Sequence, residues 1–329
     1  MRMTARFYTT VLSAVLCTSA LHAAVPSERY PARPIRFIVP YPPGGSTDYT
    51  AREIGNRLSE LWGQQLVIDN RGGAGSAIGH GLAATAAPDG YTLLLGTSAG
   101  LSVLPALATK LPYDPQKDLA PIGLAVYGPY ILVVHASIPA ASVREFIDYA
   151  KKQPGKLNYG SSGAGTPNHL GAEMMDMLAG IRTVHVSYKG GGPAMIDLLS
   201  GQLHYMLSAI PQALPHVKSG RLRALATGHP TRTRAAPDLP PIAETLPGFN
   251  NTTWYGLLAP ARTPRAIVMR VNADLNKVLA QPELAQRLLS QGIEASGSTP
   301  EALAEMIRAE TERWRKVIKS AGIAPETIR

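Results

Sequence analysis

The chain has 329 residues, 45% of them apolar, a formal charge of +9 and one cysteine, Cys17. A chain of this length usually divides into two domains and buries about 75% of its unfolded surface, so a core without covalent staples is feasible. The basic residues are spread singly, apart from Arg313, Arg315, Lys316 and Lys319 beside Glu310 and Glu312. Nucleic-acid binders carry a basic stripe or tail, so this pattern argues against such a partner and leaves a diffuse potential favouring anions.

Arg2 and Arg6 precede an uncharged stretch, residues 7–24, that ends in Leu21-His22-Ala23-Ala24. Its uniform apolar core is too short to span a bilayer, and the small residues suit a signal peptidase. We therefore expect a signal peptide over residues 1–24, cleaved near Ala23, and release into the periplasm. Leu16 stands where lipid attachment at Cys17 would want a small residue. Removal takes away Arg2, Arg6 and the only cysteine, leaving +7 and no disulfide or thiol chemistry.

Beyond the leader, short β-rich runs alternate with amphipathic stretches, the pattern of α/β layers. A strand over 35–39 runs into Pro40-Tyr41-Pro42-Pro43-Gly44-Gly45. The helix that follows places Ala51, Ile54, Leu58 and Leu61 on one face. A strand over 66–68, a glycine turn over 72–75, a helix over 78–87 and a strand over 91–95 come next. The middle repeats the theme with strands over 130–134, 157–159, 184–186, 203–207 and 222–226. Ser142 and Glu145 make a capping box, and Thr166 with Pro167 opens a helix after Gly160-Ser161-Ser162-Gly163-Ala164-Gly165. After a Pro-rich stretch, residues 230–248, a strand over 254–258 precedes three consecutive helices with no strand between them. The expectation is a two-lobed α/β protein of the Venus-flytrap kind. Residues 25–126 and 253–329 form one lobe and 127–252 the other, joined by a hinge crossed twice.

Several motifs point elsewhere and fail to find partners. Gly96-Thr97-Ser98-Ala99-Gly100 fits a G-x-S-x-G elbow, so a secreted serine hydrolase using Ser98 is the alternative reading. It lacks a convincing acid and later histidine. The run 73–79 has one residue too many for a dinucleotide fingerprint and no acidic residue about twenty positions on. His169 and Glu173, four apart, are two ligands without a third, so no metal or other cofactor is expected. What the glycine loops share is a strand before and a helix after. Unpaired first-turn N–H groups, with hydroxyls from Ser46, Thr47, Ser98, Ser162 and Thr166, make an anion cradle without arginine.

Longer stretches resemble one family: Pro34-Ile35-Arg36 through Gly44-Gly45-Ser46-Thr47-Asp48, Asp69-Asn70-Arg71, Pro88-Asp89-Gly90-Tyr91-Thr92, Leu111-Pro112-Tyr113-Asp114-Pro115 and Pro154-Gly155-Lys156-Leu157-Asn158-Tyr159-Gly160-Ser161. So do Gly165-Thr166 with His169-Leu170, Tyr188-Lys189-Gly190, Gly220-Arg221-Leu222-Arg223-Ala224 and Gly256-Leu257-Leu258-Ala259-Pro260. The chain resembles the extracytoplasmic receptors of tripartite tricarboxylate transporters, the Bug proteins, over essentially its whole mature length. The resemblance implies a monomeric, non-catalytic receptor that closes on a small carboxylate and serves membrane transporter subunits or a sensor protein. It places ligand contacts at Tyr41, Gly44, Gly45, Ser46, Thr47 and Asp48 in one lobe, and at Ser162, Gly163, Ala164, Thr166 and His169 in the other. Thr97, Ser98 and Tyr188 would shape the walls. The family pattern usually carries an acidic residue where His204 stands and often another at Ser208. If position 208 faces the cleft, a partner for a ligand ammonium is missing, so an acid without an α-amino group is expected.

Overall fold

Apolar residues at 35, 37 and 39 and again at 93 and 95 set the first sheet, because alternate side chains of a strand share one face. The computed structural model describes residues 30–188 and 190–327; the expected signal peptide lies outside them. Strand β1 (Ile35–Val39) leads to α1 (Ser46–Trp62), β2 (Leu66–Asn70), α2 (Ala77–Ala84) and β3 (Thr92–Thr97). The short α3 (Leu104–Leu107) and β4 (Ala108–Lys110) precede β5 (Leu119–His135). β1 pairs in parallel with β2 and β3. Phe37, Val39, Leu93 and Leu95 pack with Ile54 and Leu58 of α1, whereas Ile38 and Leu94 face the opposite core.

A second unit follows: α4 (Val143–Lys151), β6 (Asn158–Ser161), α5 (Pro167–Ala179), β7 (Val184–Ser187), α6 (Gly191–Leu199), β8 (Tyr205–Ala209), α7 (Ile210–Lys218) and β9 (Leu222–Thr227). Ser142 caps α4 by accepting from the Glu145 N–H, as its spacing foretold, but the Glu145 carboxylate reaches back to Ala141 N–H. β10 (Thr252–Pro260) returns, and α8 (Arg265–Leu279), α9 (Pro282–Ser290), β11 (Glu294–Ala295), α10 (Pro300–Ser320) and β12 (Glu326–Thr327) end the chain. The expectation of no strand among the last helices is corrected by β11, two residues held against Tyr127 and Val126. So brief a pairing leaves no alternation in sequence.

The protein has a two-lobed α/β fold, and β5 runs through both sheets. Its residues 119–129 pair antiparallel with β10, and 130–135 pair with β8 on one side and β9 on the other. From sequence only 130–134 read as a strand. Pro121, Gly123, Gly128 and Pro129 mask the rest, and the ladder to β10 absorbs them with register shifts at Tyr255/Gly256 and Leu257/Leu258. Side chains supply the missing ladder bonds: Ser298 Oγ accepts from Leu124 N–H, and Asn272 Nδ2 donates to the Ile122 carbonyl.

α10 stitches the two cores together. Leu303 and Ile307 pack with Leu94 and Leu258, while Trp314, Val317 and Ile318 pack with Leu132, Leu170 and Met174. Trp314 is fully buried. Trp314→Ala should therefore lower the unfolding free energy by about 3–5 kcal/mol. A denaturant midpoint unmoved by this change would show that the C-terminal half of α10 does not hold the second core.

Candidate functional site

The loop between β1 and α1 is shaped from its own residues. The Asp48 carboxylate accepts from Gly44 N–H (3.0 Å), Arg52 Nε (3.0 Å) and Asn70 Nδ2 (3.1 Å), and Asn70 Nδ2 also donates to the Tyr41 carbonyl (3.0 Å). Gly44 sits at φ +91°, a conformation L side chains avoid. Burial raises the Asp48 pKa, but the bonds from Arg52, Gly44 and Asn70 outweigh it and hold the carboxyl below its ordinary value. Asp48 is thus occupied as a brace. The first turn of α1 then opens with no side-chain cap, leaving the N–H groups of Ser46, Thr47 and Asp48 without helical partners. Ser46 Oγ lies 3.0 Å from the Tyr255 hydroxyl of β10.

Beside it, the end of β3 is held by a buried histidine. Thr97 N–H can only donate, so His80 Nε2 accepts (3.3 Å) and Nδ1 carries the proton given to the Ser76 carbonyl (2.9 Å). Burial pushes the His80 pKa down to about 4, keeping the ring neutral. The ring also stacks on Tyr113, whose hydroxyl donates to the Gly100 carbonyl. A Cβ on Gly100 would lie 2.2 Å from the His80 ring, so only glycine fits there. Ser98 is buried in ordinary right-handed backbone, with Thr253 Oγ1 at 3.4 Å and no histidine among its hydrogen-bond partners. The strained, exposed elbow that a G-x-S-x-G nucleophile requires is not formed.

In the second lobe the loop 160–168 is bonded largely to itself. Thr166 Oγ1 reaches the Gly163 carbonyl (2.6 Å) and Asn168 Oδ1 (2.7 Å), Asn168 Nδ2 donates to Ser162 Oγ, and Gly190 N–H donates to the Ser162 carbonyl. Thr166 occupies the N-cap position of α5, yet its hydroxyl caps nothing, because the loop claims it. Gly165 N–H donates to His169 Nδ1 (2.9 Å), so the ring proton sits on Nε2, 3.8 Å from Glu173. Burial, with His185 stacked at 3.9 Å, pushes the His169 pKa down to about 4.

Between these loops lies a cleft of about 390 Å³, in the usual range for small-molecule sites. Of the sequence-predicted residues, Tyr41, Gly45, Ser46, Thr47 and Thr97 line it. Gly44, Asp48, Ser98, Ser162, Gly163, Ala164, Thr166, His169, Tyr188 and Ser208 do not line it. Each of the polar ones has local work instead: Tyr188 donates to Asp197 (2.6 Å), and Ser208, 1% exposed, turns its hydroxyl to the Ala209 carbonyl. Sequence reasoning missed Ala99, Tyr130, Thr253 and Tyr255; Pro42, Pro43 and Pro167, from within the expected loops, complete the lining. Tyr130, Thr253 and Tyr255 flank the two expected hinge crossings, the one signal that could have found them. Among the described residues no lining side chain is ionised at neutral pH, and no cluster of three His, Cys, Asp or Glu could hold a metal.

Two predictions follow from the braces. His80 and His169 stay neutral in the fold to about pH 4, against an ordinary value of 6.5, so the unfolded chain protonates first. Stability should fall as pH drops from about 6.5 towards 4, and His80→Gln should flatten that slope in thermal melts across this window. An equal slope in the variant would remove His80 from the account. For Asp48 the folded pKa is depressed, so its contribution is present above the unfolded value and lost as pH falls through the folded one. Asp48→Ala should cost about 1–3 kcal/mol at pH 7 in urea titrations, with the gap to the parent closing in acid.

Comparison with known proteins agrees with this architecture. Residues 50–323 match the model of the tripartite tricarboxylate transporter family receptor. Protein BugT of Bordetella pertussis is 35% identical over 318 residues, covering 95% of this chain and 96% of BugT. An R. palustris protein solved with adipate superposes with a TM-score of 0.75 at 36% identity, covering 90% of this chain and 100% of that one. MatC from Rhodopseudomonas palustris, solved with bound malate, gives a TM-score of 0.70 at 32% identity over 88% of this chain and 100% of MatC. A TctC solute binding protein from Polaromonas superposes with a TM-score of 0.79 at 27% identity over 88% of this chain and 99% of that one, and no helix among the described residues is long and apolar enough to cross a membrane. The chain belongs to the tripartite tricarboxylate transporter receptor family, among the Bug-type solute-binding receptors.

Proposed function

We propose that this receptor binds a small carboxylate between its lobes in the periplasm and delivers it to tripartite transporter subunits in the membrane, or to a sensor protein. The observation that carries the reading is a cleft without ionised walls onto which the uncapped first turn of α1 opens. Helix amides and neutral hydroxyls stabilise an anion there without an ion pair, and the partial charge of the helix adds to them. About four charge-assisted bonds at roughly 1.5–3 kcal/mol each, less association costs of about 4 kcal/mol upward, suit micromolar affinity. The adipate and malate held by two relatives are acids of this class.

In this reading residues 1–24 are a signal peptide removed near Ala23, and the mature chain works as a monomer without nucleic acid, cofactor or catalysis. The lobes are taken to divide at 126/127, three residues before β5 changes partner at Tyr130, and at 252/253, and α10 packs into both cores. Ligand bridging both lobes favours the closed state by differential contact. An acid without an α-amino group is preferred, since no carboxylate lines the cleft to meet an ammonium.

A melting screen of the mature protein against mono-, di- and tricarboxylates and acidic amino acids tests this. A ligand at 100-fold its Kd should add about 2.7 kcal/mol of stability, and labelling by a fluorophosphonate should be nil. Stabilisation by no carboxylate would overturn the reading; binding confined to aspartate or glutamate would overturn the preference.

A further inference from the structure

A second chamber of about 150 Å³ adjoins the cleft and shares Ser46, Tyr130, Thr253 and Tyr255 with it. Its other walls are apolar: Val126 and Pro129 from β5, Ile210 and Pro211 from α7, Trp254 from β10, and Ile293. No ionised side chain lines it among the described residues, and Gln291 is its one side-chain amide. Pro211 sits in the first turn of α7 and removes one of the donors that a helix start would offer an anion. The two lobes touch at its rim. Gly292, at φ +66°, comes so near α7 that a Cβ would stand 3.1 Å from both Ile210 and Pro211.

Resting on the proposed carboxylate reading, we infer that this chamber is a subsite for an uncharged, apolar substituent of the bound acid. The solute is then a monocarboxylate bearing a ring or a branched alkyl group. The carboxylate stays with the α1 amides in the larger cleft, and the substituent passes Tyr255 and Thr253 into the side chamber. An apolar cavity of about this volume accommodates benzene in another protein. A second carboxylate placed there would lose its hydration and meet no cation, only the Gln291 amide and, on the side shared with the cleft, the hydroxyls of Ser46, Tyr130, Thr253 and Tyr255, among otherwise apolar walls, which is unfavourable. Ile210 and Pro211 come from one lobe and Ile293 from the other, so closure itself removes the substituent from water.

Calorimetric titration of the mature protein with phenylacetate, cyclohexanecarboxylate, malate and succinate tests the inference. The apolar acids should bind at least tenfold more tightly than malate or succinate. Ile293→Asn should erase that ratio. Because Ile293 is also a core residue, Ala209→Leu serves beside it: Ala209 is exposed at the chamber wall, and the larger side chain should fill the space and cut the ratio at least tenfold. Malate or succinate binding as tightly as the apolar acids would overturn the subsite while leaving the carboxylate reading intact. A ratio untouched by a folded Ala209→Leu protein would also overturn it. Binding of no carboxylate at all would defeat the underlying reading, and the subsite with it.

Discussion

A single strand that must satisfy its backbone in two sheets sets the terms for everything else in this protein. β5 pairs with β10 up to Pro129 and changes partners at Tyr130. At that junction Tyr130 N–H donates to the Asn251 carbonyl, Gly228 N–H to the Tyr130 carbonyl, and Asn251 N–H to the Gly228 carbonyl. The chain thus passes between lobes with its main-chain groups paired, as buried backbone requires. A Cβ on Gly228 would lie 2.5 Å from the Asn251 carbonyl oxygen, so the close approach depends on glycine. The same junction puts Tyr130, Thr253 and Tyr255 into the cleft wall.

The proposed capture of an anion by amides rather than charges requires a rigid cleft, because a dipole loses its effect quickly when misaimed. Here the rigidity comes from buried polar groups behind the wall. Asp48 anchors the loop 41–48, His80 fixes the end of β3, and His169 with Asn168 fixes the loop before α5. Asp48 and both ring nitrogens of His80 are held by local bonds, as is His169 Nδ1, and each would be costly to leave unpaired. The ionisable groups nearest the site therefore act as braces and leave the lining neutral.

Much of this was legible in residue order. Period-two runs marked β1 and β3, helical spacing marked α1, and Ser142 and Thr166 stood where α4 and α5 begin. Quoted motifs were enough to reach the family. Tyr41, Gly45, Ser46 and Thr47, which line the cleft, could be named from sequence because a strand, a glycine loop and a helix start lie consecutively there. The first half of β5 was hidden by its prolines and glycines, which only the tolerant ladder to β10 and the side chains of Ser298 and Asn272 make acceptable. Ser162, Thr166 and His169 were indistinguishable from lining residues, since a loop hydroxyl can bond a ligand or its own loop and composition does not say which.

By itself, then, the sequence determined the alternation of α and β elements, the helix starts facing glycine loops and the two-lobed class, because these rest on local spacing and backbone geometry. The tertiary structure alone decided that β5 serves both sheets, that α10 joins two cores, and that Asp48 and His80 stand behind the wall. It also decided that Ile210, Pro211 and Ile293, far apart in the chain, share one apolar chamber. Such juxtapositions come from sheet register and lobe contact, which depend on partners many residues away and leave no periodic mark.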